Sequence, residues 1–113
     1  MKKLLGVILL TCICATVSAR EISQVCANHI LVPTELDAIK LKSQIKTFED
    51  FSKYAKLYST CPSGQRGGDL GCFGRGVMVK PFEKAAFDGR VGEVSDPIKT
   101  QFGYHLIWIT RQF

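Results

Sequence analysis

Six glycines lie within the segment 64–76, and this segment restricts the possible folds more than any other part of the sequence. Each glycine in a helix interior costs about 1 kcal/mol relative to alanine, so glycine at this density excludes a regular helix. The backbone must instead turn sharply here or pass close to another group. Only the short segment 69–73 has the composition of a strand, so we expect a tight loop around one short strand.

The first 19 residues have a different character from the rest of the chain. Lys2 and Lys3 precede an apolar or small-residue run over 4–17, which ends in Val17-Ser18-Ala19. This three-part pattern is typical of a secretory signal peptide, and the run is shorter than the ~20 residues of a membrane-spanning helix. An uncleaved membrane anchor and, less well supported, a lipoprotein are the alternatives. We therefore predict a leader over 1–19, a single domain over 20–113, and an exported protein, periplasmic or secreted, without stable membrane association after cleavage.

The charge of the remaining chain argues against nucleic acid as a partner. The net charge of the whole chain is +5, and it falls by two without the leader, which contains two lysines and no acid. Arg66 and Arg75 lie beside glycines, but two such arginines in a mildly basic domain do not form a basic surface. We treat these arginines as a consequence of turn composition.

Three of the five cysteines follow the leader, namely Cys26, Cys61 and Cys72. An odd number leaves either one disulfide and one free thiol, or three unpaired thiols. These three cysteines form no Cys-x-x-Cys pair, which argues against a dithiol oxidoreductase or a zinc knuckle.

Hydrophobic periodicity, capping residues and turn signals predict the order strand, helix, helix, strand, helix, strand, strand. In the last strand, alternation puts Tyr104, Leu106 and Trp108 on one face and His105, Ile107 and Ile109 on the other. This order indicates an α+β domain with a short sheet covered by helices. The predicted segments are the strand 25–32, a helix from Thr34 to about Lys46, a helix from Thr47 to about Tyr58, the strand 69–73, the helix 80–87, a strand over 94–100 weakened by Pro97, and the strand 104–110.

Four short blocks, in order, resemble the signature of the parvulin-type peptidyl-prolyl cis/trans isomerases. They are Asn28-His29-Ile30-Leu31-Val32, Cys61-Pro62-Ser63-Gly64 running into 66–71, Met78 with Phe82-Glu83, and Thr100-Gln101-Phe102-Gly103-Tyr104-His105. The resemblance implies the parvulin fold, which is FKBP-like: a four-stranded, mainly antiparallel sheet surrounded by helices, with the active site in a groove on the sheet. It points to the small, single-domain branch that is not specific for phosphorylated substrates, because the loop after the first strand reads Pro33-Thr34-Glu35 and lacks a basic cluster.

The resemblance also implies which residues form the site. The catalytic positions of the family fall on His29, Cys61, Thr100 and His105. The apolar pocket that receives the substrate proline falls on Leu70, Met78, Phe82 and Phe102. Such a pocket must open to solvent, whereas ordinary core residues are covered.

The implied activity is rotation about X-Pro bonds in unfolded or extended segments of secreted proteins, through non-covalent stabilisation of the twisted amide. It needs no cofactor and no metal, and we expect a monomer. The alternative is a proline-peptide-binding chaperone module without catalysis. A third class, a metal site built from His29, His105, Cys61 and Cys72, lacks the spacing of a known motif.

We expect the two histidines to support the site rather than transfer protons. A histidine on an apolar strand face is most often a satisfied core side chain, and rotation needs no general acid or base. Cys61 should tune the polarity around the carbonyl without covalent attack. Strand alternation puts Cys72 on the face of Leu70, so a Cys61–Cys72 disulfide beside the groove is one possibility and unpaired sulfurs are the slightly favoured one.

Overall fold

The computed structural model describes residues 21–113, so the predicted leader lies outside the described residues. The elements follow the predicted order and confirm the α+β class. They are β1 (Val25–Val32), α1 (Glu35–Gln44), α2 (Phe48–Tyr58), a 3₁₀ turn (Pro62–Arg66), β2 (Asp69–Phe73), α3 (Lys80–Asp88), β3 (Ile98–Thr100) and β4 (Gly103–Gln112). Among residues 21–113, no helix combines the length and the apolarity needed to cross a bilayer.

One four-stranded sheet with the order β2-β1-β4-β3 forms the centre of the domain, and every neighbouring pair is antiparallel. The strands β1 and β4 lie in the middle and pair over nearly their whole length. The strands β2 and β3 form the two edges, and Pro97 directly precedes the edge strand β3, where a proline is tolerated.

Helices cover both faces of the sheet, and each face has its own apolar cluster. We call the face under α1 and α2 the rear face; Ile30, Leu106 and Trp108 pack there against side chains of both helices. We call the face under α3 the front face; Ala27 and Ile107 pack there against α3. Strand alternation explains this division, and it confirms the two faces predicted for the last strand.

Threonine caps start the first two helices, as the sequence predicts. The Thr34 hydroxyl accepts a hydrogen bond from the Asp37 N–H, and Thr47 forms a full capping box with Asp50. The first helix ends at Gln44, two residues before the predicted end, because Ile45 has an extended backbone and Thr47 already caps the next helix.

The pairing of β1 with β2 contains an extra residue on the β2 side. Asn28 pairs with Asp69 and Cys26 pairs with Cys72, so Leu70 and Gly71 together lie opposite Ala27. Gly71 has a φ of 72°, which a glycine adopts without strain. This bulge lets Leu70 and Phe73 both pack on the front face although they are three residues apart.

A disulfide joins Cys26 to Cys72, whereas Cys61 is a free thiol. The prediction that favoured unpaired sulfurs was therefore wrong. The alternative, a disulfide between Cys61 and Cys72, was also wrong. Both errors have one cause. Strict alternation gives Cys72 the face of Leu70, but the bulge reverses the alternation and turns Cys72 to the rear face, opposite Cys26.

The strand predicted over 94–100 is shorter in the structure, where β3 covers only Ile98–Thr100. Val94 still forms an isolated bridge with Trp108, and the Ser95 N–H donates to the Ile107 carbonyl. Pro97 has no N–H to continue the ladder between these contacts and β3.

The glycine-rich segment contains both features expected of it, a sharp turn and a close approach. Gly67 and Gly68 have positive φ angles of 72° and 86°, and a Cβ atom on Gly68 would overlap the carbonyl oxygen of His29. The 3₁₀ turn that precedes them was not predicted. This turn starts at Pro62, includes Gly64 and is only five residues long. A glycine-rich segment can form such a short 3₁₀ turn more easily than a long helix.

Candidate active site

An open cavity of about 450 Å³ lies on the front face of the sheet. Seven of the eight predicted site residues line it, and the eighth, Thr100, hydrogen-bonds to one of the seven. Nearly all of the lining is apolar, which suits a cavity that takes up an apolar group. The lining residues are His29, Leu31, Thr60, Cys61, Pro62, Leu70, Val77, Met78, Val79, Phe82, Phe102 and His105.

The two histidines lie at the base of the cavity on the two central strands. His29 of β1 and His105 of β4 are diagonal neighbours, because His29 pairs with Ile107 and Leu31 pairs with His105. Their Nδ1 atoms are 3.0 Å apart, and their rings are nearly parallel with centroids 5.2 Å apart. The two imidazoles are therefore hydrogen-bonded to each other.

Hydroxyl groups complete the hydrogen bonding of both imidazoles. The Ser63 Oγ lies 3.1 Å from His29 Nε2, and the Thr100 Oγ1 lies 2.7 Å from His105 Nε2. The Phe102 N–H donates to the Thr100 Oγ1, and the Ser63 hydroxyl donates to the Cys61 Sγ. The five side chains Thr100, His105, His29, Ser63 and Cys61 thus form one continuous network.

The donation from Ser63 to Cys61 sets the direction of the whole network. Ser63 must then accept from the Nε2–H of His29, which leaves His29 Nδ1 as the acceptor of the Nδ1–H of His105. The Nε2 of His105 in turn accepts from the Thr100 hydroxyl. Each imidazole therefore carries one proton and is neutral, with its tautomer assigned by the network.

Burial keeps both imidazoles neutral. Each side chain is only 5% exposed. Desolvation, and secondarily the neighbouring His105, lowers the pKa of His29 from 6.5 to about 4. Desolvation likewise lowers the pKa of His105 from 6.5 to about 4. A pair that is neutral at physiological pH offers no charge and no proton donor of matched pKa to a bound substrate.

Phe82 forms the floor of the cavity beside the histidines. Its ring meets His29 and His105 edge-on, with centroids 5.6 Å and 5.2 Å away. The side chain is 3% exposed, so this residue is more covered than the open pocket wall that the sequence predicted. It lies on α3, where Pro81 occupies the first turn and suits the start of a helix.

The rim of the cavity is apolar and open. Phe102 is 62% exposed and Val77 is 66% exposed, whereas Met78 and Leu70 are half-buried. Water contact at such side chains is unfavourable, and a ligand that covers them gains the free energy of apolar burial. The cavity therefore combines a covered floor with an exposed rim.

Cys61 lines the cavity just before the 3₁₀ turn. It is half-buried, and the hydrogen bond from Ser63 reaches its sulfur at 3.3 Å. The carbonyl of Gly68 accepts from the His29 N–H at 2.9 Å, and Asn28 donates to the Gly67 carbonyl at 3.0 Å. The glycine loop thereby fixes the Cys61 side of the cavity against β1.

Sequence reasoning assigned no role to several residues that the structure brings to the site. Ser63 lies in the quoted block after Cys61, and a hydroxyl so close to a proposed site cysteine was the available signal. The valines at 77 and 79 flank Met78, and Leu31 lies two residues after His29 on the same strand face, so alternation pointed to it. The residues added by the structure are Leu31, Thr60, Pro62, Ser63, Val77 and Val79.

The residues around the cavity do not form a metal centre in the structure. Within residues 21–113, no group of three or more His, Cys, Asp or Glu side chains is arranged to hold a metal ion. Cys72, which the metal alternative needed, is bonded to Cys26 on the rear face.

Most of this chain matches the model of a known protein family. The family model of the PPIC-type PPIase domain, or rotamase, matches residues 29–111. The foldase protein PrsA of Geobacillus kaustophilus is 56% identical over 85 residues, which cover 74% of this chain and 30% of that protein. This chain therefore spans only about 30% of the length of such curated relatives.

Two solved structures extend the comparison. One belongs to a pair of SurA-like chaperones of Campylobacter jejuni, one of which is a periplasmic protein; it has a TM-score of 0.76 and 34% identity, and the match covers 99% of this chain and 48% of that one. The other is the parvulin of Nitrosopumilus maritimus, with a TM-score of 0.67, 44% identity, and coverage of 81% of this chain and 100% of that one. The match to the family model over 29–111 and the shared fold confirm the predicted isomerase domain, and this chain belongs to the PPIC-type peptidyl-prolyl isomerase family, the parvulins.

Proposed function

We propose that the domain over 20–113 accelerates cis/trans rotation of X-Pro bonds in unfolded or extended polypeptide segments. The observation that carries this proposal is the open apolar cavity with a neutral, buried histidine pair at its base. Rotation is opposed by a barrier of about 18–20 kcal/mol, which arises from amide resonance that is lost on twisting. A catalyst lowers this barrier by binding the twisted amide more tightly than either planar form.

The proline ring is held between Met78, Phe82 and Phe102. Burial of the ring in this pocket fixes one side of the X-Pro bond, while the preceding residue lies toward the exposed rim and is free to swing. The twisted amide is less polar at its carbonyl than the planar one, so an environment poor in water favours it. Each ~1.36 kcal/mol of preferential binding gives a tenfold gain in rate.

Cys61 and the histidine pair act on this reaction without covalent chemistry. The basic nitrogen of each imidazole accepts a hydrogen bond inside the network, and both pKa values are lowered to about 4, so neither ring is an effective general base at neutral pH. The Ser63 donation to the Cys61 sulfur leaves the thiol hydrogen free to point toward the substrate carbonyl. We assign Cys61 to the polarity around that carbonyl, and His29, His105 and Thr100 to the support of the groove.

Clients of this groove carry an unphosphorylated residue before proline. No arginine or lysine lines the cavity in the part of the chain that the structure describes. The loop after β1, Pro33-Thr34-Glu35, supplies an acid and no base. A phosphate would therefore lose its water without gaining a charged partner.

We infer that the protein works outside the cytoplasm after removal of residues 1–19. The Cys26–Cys72 disulfide supports an oxidising compartment, and one structural neighbour belongs to a pair that includes a periplasmic protein.

Exchange spectroscopy by NMR on short X-Pro peptides tests the proposal. We expect acceleration of cis/trans exchange by the wild type and a loss of at least about tenfold in Phe82→Ala. Phe87→Ala is the matched control, because Phe87 is also buried on α3 but does not line the cavity. Peptide binding without any acceleration would instead support the non-catalytic chaperone module.

A further inference from the structure

We propose that Glu83 is a positioning residue for the substrate groove, and that its carboxylate holds the segment that forms one apolar wall. We call residues 74–79 the rim segment. The inference deepens the proposed function and rests on it, because the rim segment acts here through its contact with the bound X-Pro segment. Glu83 belongs to one of the four blocks that resemble the parvulin signature, but its side chain does not line the cavity.

The rim segment supplies three consecutive residues to the cavity, Val77, Met78 and Val79. It connects the end of β2 at Phe73 to the start of α3 at Lys80, and it is neither helix nor strand. No ladder of backbone hydrogen bonds therefore fixes its position. The wall must be held in place by contacts with its neighbours.

Glu83 binds the rim segment at both ends of this wall. Its Oε1 accepts a hydrogen bond from the Gly76 N–H at 2.8 Å, and its own N–H donates to the Val79 carbonyl at 2.9 Å. Gly76 has a φ of 87°, which lets the chain turn there without strain. Within residues 21–113, Glu83 accounts for both hydrogen bonds that join the rim segment to another element.

The bond from the carboxylate to Gly76 is the contact that a side-chain change would remove. The bond to Val79 uses the backbone of Glu83 and belongs to the first turn of α3, so it survives substitution. Arg75 adds a weaker contact, since its Nη1 lies 3.8 Å from Oε2 of Glu83 and its side chain is largely exposed. An exposed ion pair of this length contributes little, whereas a hydrogen bond from a backbone N–H to a carboxylate is strong.

The wall should affect substrate affinity more than the rate of the bound substrate. In the proposed function the proline ring stays in its pocket, where Met78 contacts it, while the preceding residue swings. A contact that is equal in the planar and twisted states lowers KM without raising kcat. The hydrogen bonds of the histidine pair do not involve the rim segment, so the base of the groove should remain intact when the wall is released.

The test measures KM and kcat of X-Pro exchange for variants of α3. We expect Glu83→Ala to raise KM by about threefold to tenfold and to change kcat by less than about twofold. Glu83→Gln keeps an oxygen acceptor for the Gly76 N–H, so its KM should stay within about twofold of the wild type. Lys84→Ala is the matched control, because Lys84 is the next residue of α3 and pairs with Asp88 at 2.8 Å on the exposed side. Its KM should equal that of the wild type.

A further variant tests whether Glu83 acts through the wall. The double substitution Val77→Ala with Met78→Ala removes the side chains that Glu83 positions. If the effect of Glu83 passes through them, adding Glu83→Ala to this variant should raise KM by less than about twofold, because changes that share one contact are not additive. A further rise as large as in the wild type would overturn the inference.

Three other outcomes would also overturn it: an unchanged KM in Glu83→Ala, an equal rise in Lys84→Ala, or a lowered kcat alone, as expected when part of the protein is unfolded. A wild type without isomerase activity would count against the proposed function instead. Hydrogen exchange of the Gly76 amide then decides the inference, also where Glu83→Ala does not fold. We expect this amide to be protected in the wild type, and exchange at the rate of an unstructured chain would refute the positioning role.

Discussion

A fall in pH from about 7.5 to about 5 should destabilise this domain through its two histidines. The chain contains only two histidines, and both belong to the buried pair. In the folded protein their pKa values lie near 4, whereas the unfolded chain has the ordinary value of 6.5. Between these values the unfolded state binds protons that the folded state does not, so the free energy of unfolding decreases as the pH falls.

The size of this effect follows from the two pKa values. At a pH of about 5, a histidine with a pKa of about 4 when folded and 6.5 when unfolded contributes about 2 kcal/mol less than at neutral pH. The pair should therefore cost about 4 kcal/mol, a large part of the 5–15 kcal/mol of a typical domain. Hydrogen bonds lower the pKa values of Asp50 and Asp96. Protonation of these two carboxylates decreases the free energy of unfolding only at lower pH, below about 4.

Urea unfolding under non-reducing conditions measures this loss. The single tryptophan, Trp108, is buried in the rear cluster and should report unfolding by fluorescence. His29→Gln and His105→Gln should each remove about half of the pH dependence, whatever they do to stability at neutral pH. If either variant fails to fold, NMR titration of the imidazole signals of the wild type replaces it. A constant free energy of unfolding over this range, or imidazoles that titrate near 6.5, would refute the reasoning.

Three further sets of substitutions test the site and the loop beside it. Cys61→Asp should keep appreciable isomerase activity and Cys61→Ala should weaken it in the peptide exchange assay, because the proposed role is polarity at the carbonyl; an inactive Cys61→Asp would point to thiol chemistry. Gly68→Ala should destabilise the domain by more than the ~1–2 kcal/mol of a left-handed alanine, because its Cβ meets the His29 carbonyl. Gly92→Ala, at the same φ of 86° with open space around it, should show only that smaller loss in thermal unfolding, and equal losses would contradict the contact. Thr100→Val should lower activity and Thr100→Ser should restore it, because only serine keeps the hydroxyl that bonds to His105. Wild-type activity in Thr100→Val would show that isomerisation does not need this hydrogen bond.

The fold could be predicted well wherever local pattern determines it. The strand over 25–32 follows from a strand-type run that ends at Pro33, and the two faces of the last strand follow from period-two alternation. Thr34 and Thr47 mark two helix starts. The shortened third strand and the bulge in β2 could not be predicted in the same way. Both depend on which residues of a neighbouring strand lie opposite, and no local propensity contains that information.

The candidate site was predictable as a set of residues but not as a geometry. The resemblance of four sequence blocks to the parvulins implied seven of the twelve side chains that line the cavity. Ser63 and the direction of the hydrogen-bond network could not be deduced, since they depend on atoms within about 3 Å of each other. The partner of Cys72 was missed for the same reason as the bulge: one extra residue reverses the face of every side chain that follows.

The placement of the disulfide behind the sheet has a kinetic consequence. Cys72 is exposed on the side away from the cavity, so a thiol reagent or an oxidoreductase can approach the sulfurs while a polypeptide occupies the front. Occupancy by a client and thiol exchange are then separate events that do not compete for space.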